Sequence, residues 1–390
     1  MMQHYFKSYF NTAIQLIHSY DGMTPLNIFL KNYFSQHKKH GSKDRKWIAH
    51  FCYCYYRLGF ALKEINKEDR LQIAIFLCTA KNGNWLSFYE QEWQAAWDED
   101  VYKRIQFIQT KHQFVFADIF YNNDWLSKDI DAVAFNVSHL IQPDLFIRIR
   151  PRNTSIVINK LHQHNISFKQ MSETCLAFDN ATKIENIIYI NKEAVVQDIS
   201  SQQIASLFLS ISLPQRFSAW DCCAASGGKS ILLYDSFNDI KLTVSDIRNS
   251  ILHNLQKRFA EAGIKNYQSF IADVSSPQFS SKQQYDLVIC DVPCSGSGTW
   301  SRTPEQLPFF NKNKLSHYTE LQKQITFNAI KAVKPNGYFL YITCSVFMQE
   351  NEEMVEQILQ HSKLKLVEEK MLKGYNAKAD TMFAALFVNL

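Results

Sequence analysis

No stretch of this 390-residue chain reaches the roughly 18 consecutive apolar residues that a membrane-spanning helix needs, so no membrane partner is expected. The start, MMQHYFKSYFNTAIQLIHSYDG, has one early lysine but is broken by Gln, His, Asn and Ser, which disfavours a secretory leader. Metal-ligand spacing is missing from the cysteines, and the nine of them make no even disulfide framework. That usage fits a reducing compartment in which thiols stay available for chemistry. The expectation is a cytoplasmic, metal-free monomer. Internal repeats and low-complexity tracts are also lacking. Strong charge is absent too: 42 Lys+Arg face 37 Asp+Glu, a formal +5. Such a balance permits a nucleic-acid partner without establishing one.

What is present is globular: 46% hydrophobic and 20% charged residues, in a length suited to two or three domains. Residues 1–130 show apolar spacing of helical period with many aromatics, among them Trp47, Phe51, Tyr53, Tyr55 and Tyr56, and predict a helical domain. Around Pro143 the texture changes. DLFIRIRPRN alternates with period two, a helix-like stretch runs from Ser155 to His164, and strand-like segments continue to Ile190, so 131–195 reads as a small α/β module. Basic residues cluster at Lys38, Lys39, His40, Lys43, Arg45 and Lys46, and again at Arg148, Arg150 and Arg152. Either cluster alone reads as a solvated face; together they suggest a phosphate track.

From about residue 196 strands and helices alternate, the sign of a mostly parallel, doubly wound sheet of Rossmann-like type. Strands are predicted at 217–220, 241–245, 268–272, 285–290 and 338–343, with helices at 248–262 and 315–333 and a closing strand at 382–390. The run Asp221-Cys-Cys-Ala-Ala-Ser-Gly-Gly-Lys229 sits where a strand hands over to a helix. Small residues and paired glycines there let a ligand approach the backbone, and the helix start favours an anionic group. Asp246 ends the next strand, where a carboxylate can accept from ribose hydroxyls, and Asp273 ends the third, near an adenine amino edge. Cys223, Ala224, Ala225, Ser226, Gly227, Gly228 and Lys229, with Asp246, Asp273 and Asp291, are thus candidate cofactor contacts. The Gly-x-x-x-x-Gly-Lys phosphate loop is not there, but a dinucleotide remains open on these features alone. Strand four ends in Asp291-Val-Pro-Cys294-Ser-Gly-Ser-Gly and strand five in Thr343-Cys344-Ser345, which puts a carboxylate and two thiols on the rim where open α/β sheets bind ligands.

The segments DCCAASGGK, DVPCSGSGTWSRTP and YITCSVFMQEN resemble the motifs of RNA cytosine-5 methyltransferases of the RsmB/NSUN (Sun/Fmu) type, roughly D-x-C-A-A-P-G-G-K, D-x-P-C-S-G-x-G and T-C-S-x-x-x-x-E-N. VVQDISSQQ and DTMFAA extend the likeness. DLFIRIRPRN resembles that family's small RNA-contacting subdomain, and GSKDRKWIAHFCYCYYR its NusB-like helical domain. The resemblance implies a methyltransferase domain over 196–390 that takes S-adenosyl-L-methionine and methylates carbon 5 of a cytosine in RNA, with ribosomal RNA favoured over transfer RNA. By the same resemblance Cys344 adds to carbon 6 of the ring, Asp291 holds the ring nitrogen and exocyclic amine, and Cys294 assists loss of the carbon-5 proton and release of the product. Lys229 either stabilises nearby charge or faces solvent. Two positions depart from the pattern: Ser226 stands for proline and Thr381 for glycine. A transfer-RNA methyltransferase and a non-catalytic RNA-binding assembly factor are the alternatives.

Overall fold

The computed structural model describes residues 2–120, 122–237 and 239–390, with side chains from Tyr5 onward. The chain divides into two compact units, one made of residues up to Asp124 with Asp131–Gln142 and Trp300–Asn311, the other of Trp125–Ile130, Pro143–Thr299 and Lys312–Leu390.

The first unit is helical: α1 (Met2–Ser19), α2 (Leu26–Gln36), α3 (Ser42–Arg57), α4 (Lys67–Cys78), α5 (Gln91–Ala96), α6 (Val101–Lys111) and α7 (Ala132–Ser138). Starts are set by polar caps: Asn66 accepts from the Asp69 amide at α4, and Asp131 from the Ala134 amide at α7. Of the predicted core aromatics Phe51 and Tyr56 are buried, whereas Trp47, Tyr53 and Tyr55 are half-buried. Arg57 is buried as well, and its guanidinium donates to the carbonyls of His139 and Ile141 and to Gln142 Oε1, tying the end of α3 to the end of α7. Trp300 is buried in this unit against Phe120 and Phe310, at 5.5 and 4.9 Å between ring centroids. Lys38, Lys39, Lys43 and Lys46 are exposed, whereas His40 is buried and Arg45 donates to its carbonyl at 2.8 Å.

The second unit opens with β1 (Leu145–Ile149), α8 (Thr154–Gln163), β2 (Lys169–Gln170), β3 (Cys175–Phe178) and β4 (Ala194–Val196), an antiparallel sheet in the order β2-β3-β1-β4. One face of β1, Ile147 and Ile149, packs with Val157 and Leu161 of α8. The other face overturns the phosphate-track reading. Arg148 and Arg150 are 6% and 9% exposed and both grip Asp235, at 2.7 Å each, so the inward pleat turns them away from solvent. Only Arg152 of the three stays exposed.

Next come α9 (Ile199–Gln203), α10 (Ala205–Leu209), β5 (Phe217–Asp221), α11 (Gly228–Ser236), β6 (Ile240–Asp246), α12 (Asn249–Glu261), β7 (Tyr267–Ile271) and β8 (Tyr285–Asp291). After α13 (Gln306–Phe309) of the helical unit, the chain adds α14 (Lys312–Ile330), β9 (Val333–Thr343), α15 (Glu352–His361), β10 (Leu364–Leu372) and β11 (Met382–Asn389). The seven strands lie in the order β10-β11-β9-β8-β5-β6-β7, with β5 to β9 parallel and β11 antiparallel to both neighbours, so the Rossmann-like expectation holds. Buried aliphatic and aromatic residues cover both faces, as a parallel sheet requires. Two details differ from the sequence expectation. Strand β10 has no counterpart there, because KLVEEKML mixes charge into a half-exposed edge. The helix predicted to reach Val333 stops at Ile330, and Pro335-Asn336-Gly337 lies inside β9, absorbed by a register shift between the Tyr285 and Leu287 pairings.

Candidate active site

The chain order reverses between β5 and β8, and ligand crevices of open α/β sheets form at that point, outside the strands' carboxyl ends. The Asp221–Lys229 loop leaves β5 there. Its first turn is tight: the Ala224 amide donates to the Ser245 carbonyl and the Gly227 amide to the Ala224 carbonyl. Ala225 and Gly227 are left-handed, at φ of 45° and 82°. A Cβ at Gly227 would lie 2.7 Å from Phe259 and 3.1 Å from Leu255, so glycine is required twice over, whereas one at Gly228 would meet nothing. The loop thus presents small residues and the start of α11 to open space.

Asp246 is buried at the end of β6, where Oδ2 accepts from the Ala225 amide at 3.1 Å and Oδ1 from the Arg248 amide at 2.9 Å. Asp273 lies two residues past β7 and is exposed; its Oδ1 accepts from the amide and hydroxyl of Ser275. Lys229 does not face solvent: it is 8% exposed and its Nζ sits 3.1 Å from Asp291 Oδ2, at the end of β8. Beneath them Asp221 is buried, takes a 2.6 Å hydrogen bond from Ser230 Oγ, and has no partner for Oδ1 among the described residues. Burial pushes its carboxyl up to about 7, and the charge of Asp291 adds to this. Cys223 is half-buried, and the hydrogen bond with Cys222 and burial raise its thiol well above the usual range.

The predicted thiols meet. Cys294 Sγ and Cys344 Sγ are 3.1 Å apart, and the Cys344 amide points at Cys294 Sγ from 3.4 Å. The bond with Cys344, burial and the nearby Glu350 carboxylate push the Cys294 thiol well above its usual range, so it is neutral at pH 7. The two loops are stitched backbone to backbone: Gly298 donates to the Cys344 carbonyl and accepts from the Thr381 amide, both at 2.9 Å. A side chain at 298 would drive a Cβ to 2.0 Å from the Thr381 carbonyl oxygen, which explains the glycine of the Cys-Ser-Gly-Ser-Gly run.

Glu350 stands within the YITCSVFMQEN motif, yet sequence reasoning assigns it no role. It is fully buried and acts as a clamp: Oε1 accepts from the Ser295 amide and Gln322 Nε2 at 2.8 Å each, and Oε2 from the hydroxyls of Ser295 and Ser345. Each serine directly follows one of the two cysteines. Asn351 fastens the same turn, accepting from Thr343 Oγ1 at 2.6 Å and donating to the Ser345 carbonyl at 3.0 Å. The Glu-Asn pair closing that motif is the available signal; its use depends on the fold of the loop.

The family model for the 16S rRNA methyltransferase RsmB/F matches residues 212–386. The chain is 26% identical over 240 residues to a probable ribosomal RNA small subunit methyltransferase B of Coxiella burnetii, covering 59% of this chain and 55% of that protein. It is 31% identical over 174 residues to the ribosomal RNA small subunit methyltransferase B of Shewanella oneidensis, covering 44% and 40%. The chain thus spans about half the length of the curated relatives it matches. Among solved structures, PH0851 superposes with a TM-score of 0.66 at 19% identity, covering 94% of this chain and 95% of that one. NSun6 from Pyrococcus horikoshii with SFG does so at 0.59 and 14% identity, covering 67% and 96%. Both show the fold. Residues 212–386 of this chain are thus similar to the methyltransferase domain of the RsmB/F family.

Proposed function

We propose that the protein transfers a methyl group from S-adenosylmethionine to carbon 5 of a cytosine in RNA, with small-subunit ribosomal RNA the preferred substrate, through a covalent bond between Cys344 and carbon 6. The observation that carries this reading is the contact of Cys294 and Cys344 at 3.1 Å on the rim that also bears Asp291 and Lys229. The names of the relatives carry the ribosomal choice.

The residues present suit the cofactor. Gly228 has open space where a Cβ would lie, and small residues line the turn before α11. Cys223 to Lys229, with Asp246, Asp273 and Asp291, would hold it. Bound S-adenosylmethionine supplies an electrophilic methyl on its sulfonium. Cytosine carbon 5 is too weak a nucleophile alone, so the Cys344 thiolate adds to carbon 6, forming a carbon–sulfur bond and pushing electron density to carbon 5. Asp291, steadied by Lys229, holds the ring nitrogen and amine as that density builds. Cys294 is protonated before attack and donates toward Cys344; after methyl transfer it gives that proton to the departing Cys344 sulfur while the carbon–sulfur bond breaks, and its thiolate takes the carbon-5 proton, which restores the ring and the Cys294 thiol. The base must be unstacked to be reached, so a single-stranded or locally opened site is required.

Mass spectrometry of 5-methylcytosine in ribosomal and transfer RNA, from cells with and without the gene, tests this. Loss of one small-subunit site is expected. Loss confined to transfer RNA overturns the substrate, and no loss in either pool overturns the activity.

A further inference from the structure

One guanidinium reaches both the proposed cofactor loop, at Ser226, and the segment at Asn191. In the family pattern the loop reads Ala-Ala-Pro-Gly-Gly, and here Ser226 replaces the proline. Serine is conformationally freer than proline, whose ring fixes φ, so the loop loses a built-in constraint. Ser226 is flanked by two left-handed residues, Ala225 and Gly227, which makes the turn dependent on its neighbours. Arg258, in the last turn of α12, replaces the constraint. Its Nη1 donates to the Ser226 carbonyl at 2.8 Å and to the Ser226 hydroxyl at 2.7 Å, while Nε donates to Asn191 Oδ1 at 3.1 Å. The same helix supplies Leu255 and Phe259, which close over Gly227. Asn191 is itself fixed by a 2.8 Å hydrogen bond to Glu261 Oε2. Hydrogen bonds from a charged donor are shorter and stronger than neutral ones, and two converge on one residue here.

We propose that Arg258 is a positioning residue: its paired hydrogen bonds to Ser226 hold the 222–228 loop in the cofactor-accepting shape that proline imposes in the family pattern. This rests on the reading of that loop as the S-adenosylmethionine site. Ser226 does not have a positive φ, and its amide donates to no acceptor among the described residues, so a proline there meets no lost bond.

The test uses the full chain, with calorimetric titration of S-adenosylmethionine and, separately, hydrogen exchange of the Ala225 and Gly227 amides without ligand. Arg258→Ala, which removes hydrogen bonds from a charged donor, is expected to weaken cofactor binding about tenfold and to speed exchange of those amides. Adding Ser226→Pro to Arg258→Ala should restore both to within about twofold of Ser226→Pro alone, a rescue that a merely structural role for Arg258 does not allow. Arg258→Lys, which keeps the charge but cannot make the forked contact, should fall between. Unchanged affinity and exchange in Arg258→Ala, or failure of proline to rescue, overturns the proposal. Fast exchange rescued by proline in a protein that does not bind S-adenosylmethionine sinks the cofactor reading and upholds the latch.

Discussion

The sulfurs of Cys294 and Cys344 come from different strand ends and lie 3.1 Å apart, close enough for one thiol to donate to the other. The hydrogen bond with Cys344 and burial push the Cys294 thiol well above its usual range, which suits it to donate. Cys344→Ala is therefore expected to abolish methyl transfer with cofactor affinity unchanged. Cys294→Ala should attack but fail to release, leaving a protein–RNA adduct that survives denaturing gel electrophoresis. An adduct formed by the Cys344 variant reverses the two assignments.

Glu350 holds both thiol loops through the serines that follow each cysteine. Glu350→Ala removes one acceptor from each of the Ser295 amide, the Ser345 hydroxyl and Gln322 Nε2, at a cost of about 1–3 kcal/mol for each buried group that finds no replacement. A fall in thermal midpoint with a larger fall in kcat than in RNA affinity is expected. Unchanged kcat in a destabilised protein separates the clamp from the chemistry.

Arg148 and Arg150 share one buried carboxylate, Asp235. Removing one member of a buried charge cluster costs about 3–5 kcal/mol, because the remaining charges stay desolvated. Asp235→Ala should lower the urea midpoint accordingly, whereas Arg152→Ala should leave it unchanged. Equal midpoints for Asp235→Ala and the native protein contradict the buried cluster.

Asp221 gives a pH dependence of defined sign. Its carboxyl is raised to about 7 in the fold, against the ordinary value near 4 in the unfolded chain. Between those values the folded state binds the extra proton, so this group contributes stability at low pH that is lost as pH rises from about 4 through 7. Asp221→Asn keeps an acceptor for Ser230 and removes the titration. From pH 5 to pH 7 the native protein should lose stability more steeply than the variant, by up to ~1.4 kcal/mol for each pH step of one. Parallel profiles for the two proteins contradict a raised Asp221 carboxyl.

Most of the sheet is legible in the sequence because its strands are short apolar runs ending in chemistry-bearing residues: Asp221, Asp246 and Asp291 each terminate a strand as expected. The meeting of Cys294 and Cys344 is legible only as two strand ends on one rim, since the 3.1 Å approach depends on how the loops after β8 and β9 fold. What the sequence hides is what depends on partners far along the chain. Arg148 and Arg150 read as a surface track because Asp235 is 85 to 87 positions away. Lys229 is left open between stabilising a nearby charge and facing solvent because Asp291, 62 positions on, cannot be placed beside it from sequence alone.

Methyl transfer to cytosine carbon 5 through Cys344 is tested most directly by incubating the purified protein with S-adenosylmethionine and unmodified small-subunit ribosomal RNA, then mapping the product by bisulfite sequencing. One protected cytosine is expected, absent with Cys344→Ala. A methyl group on another base or atom, or full protection produced by Cys344→Ala, contradicts it.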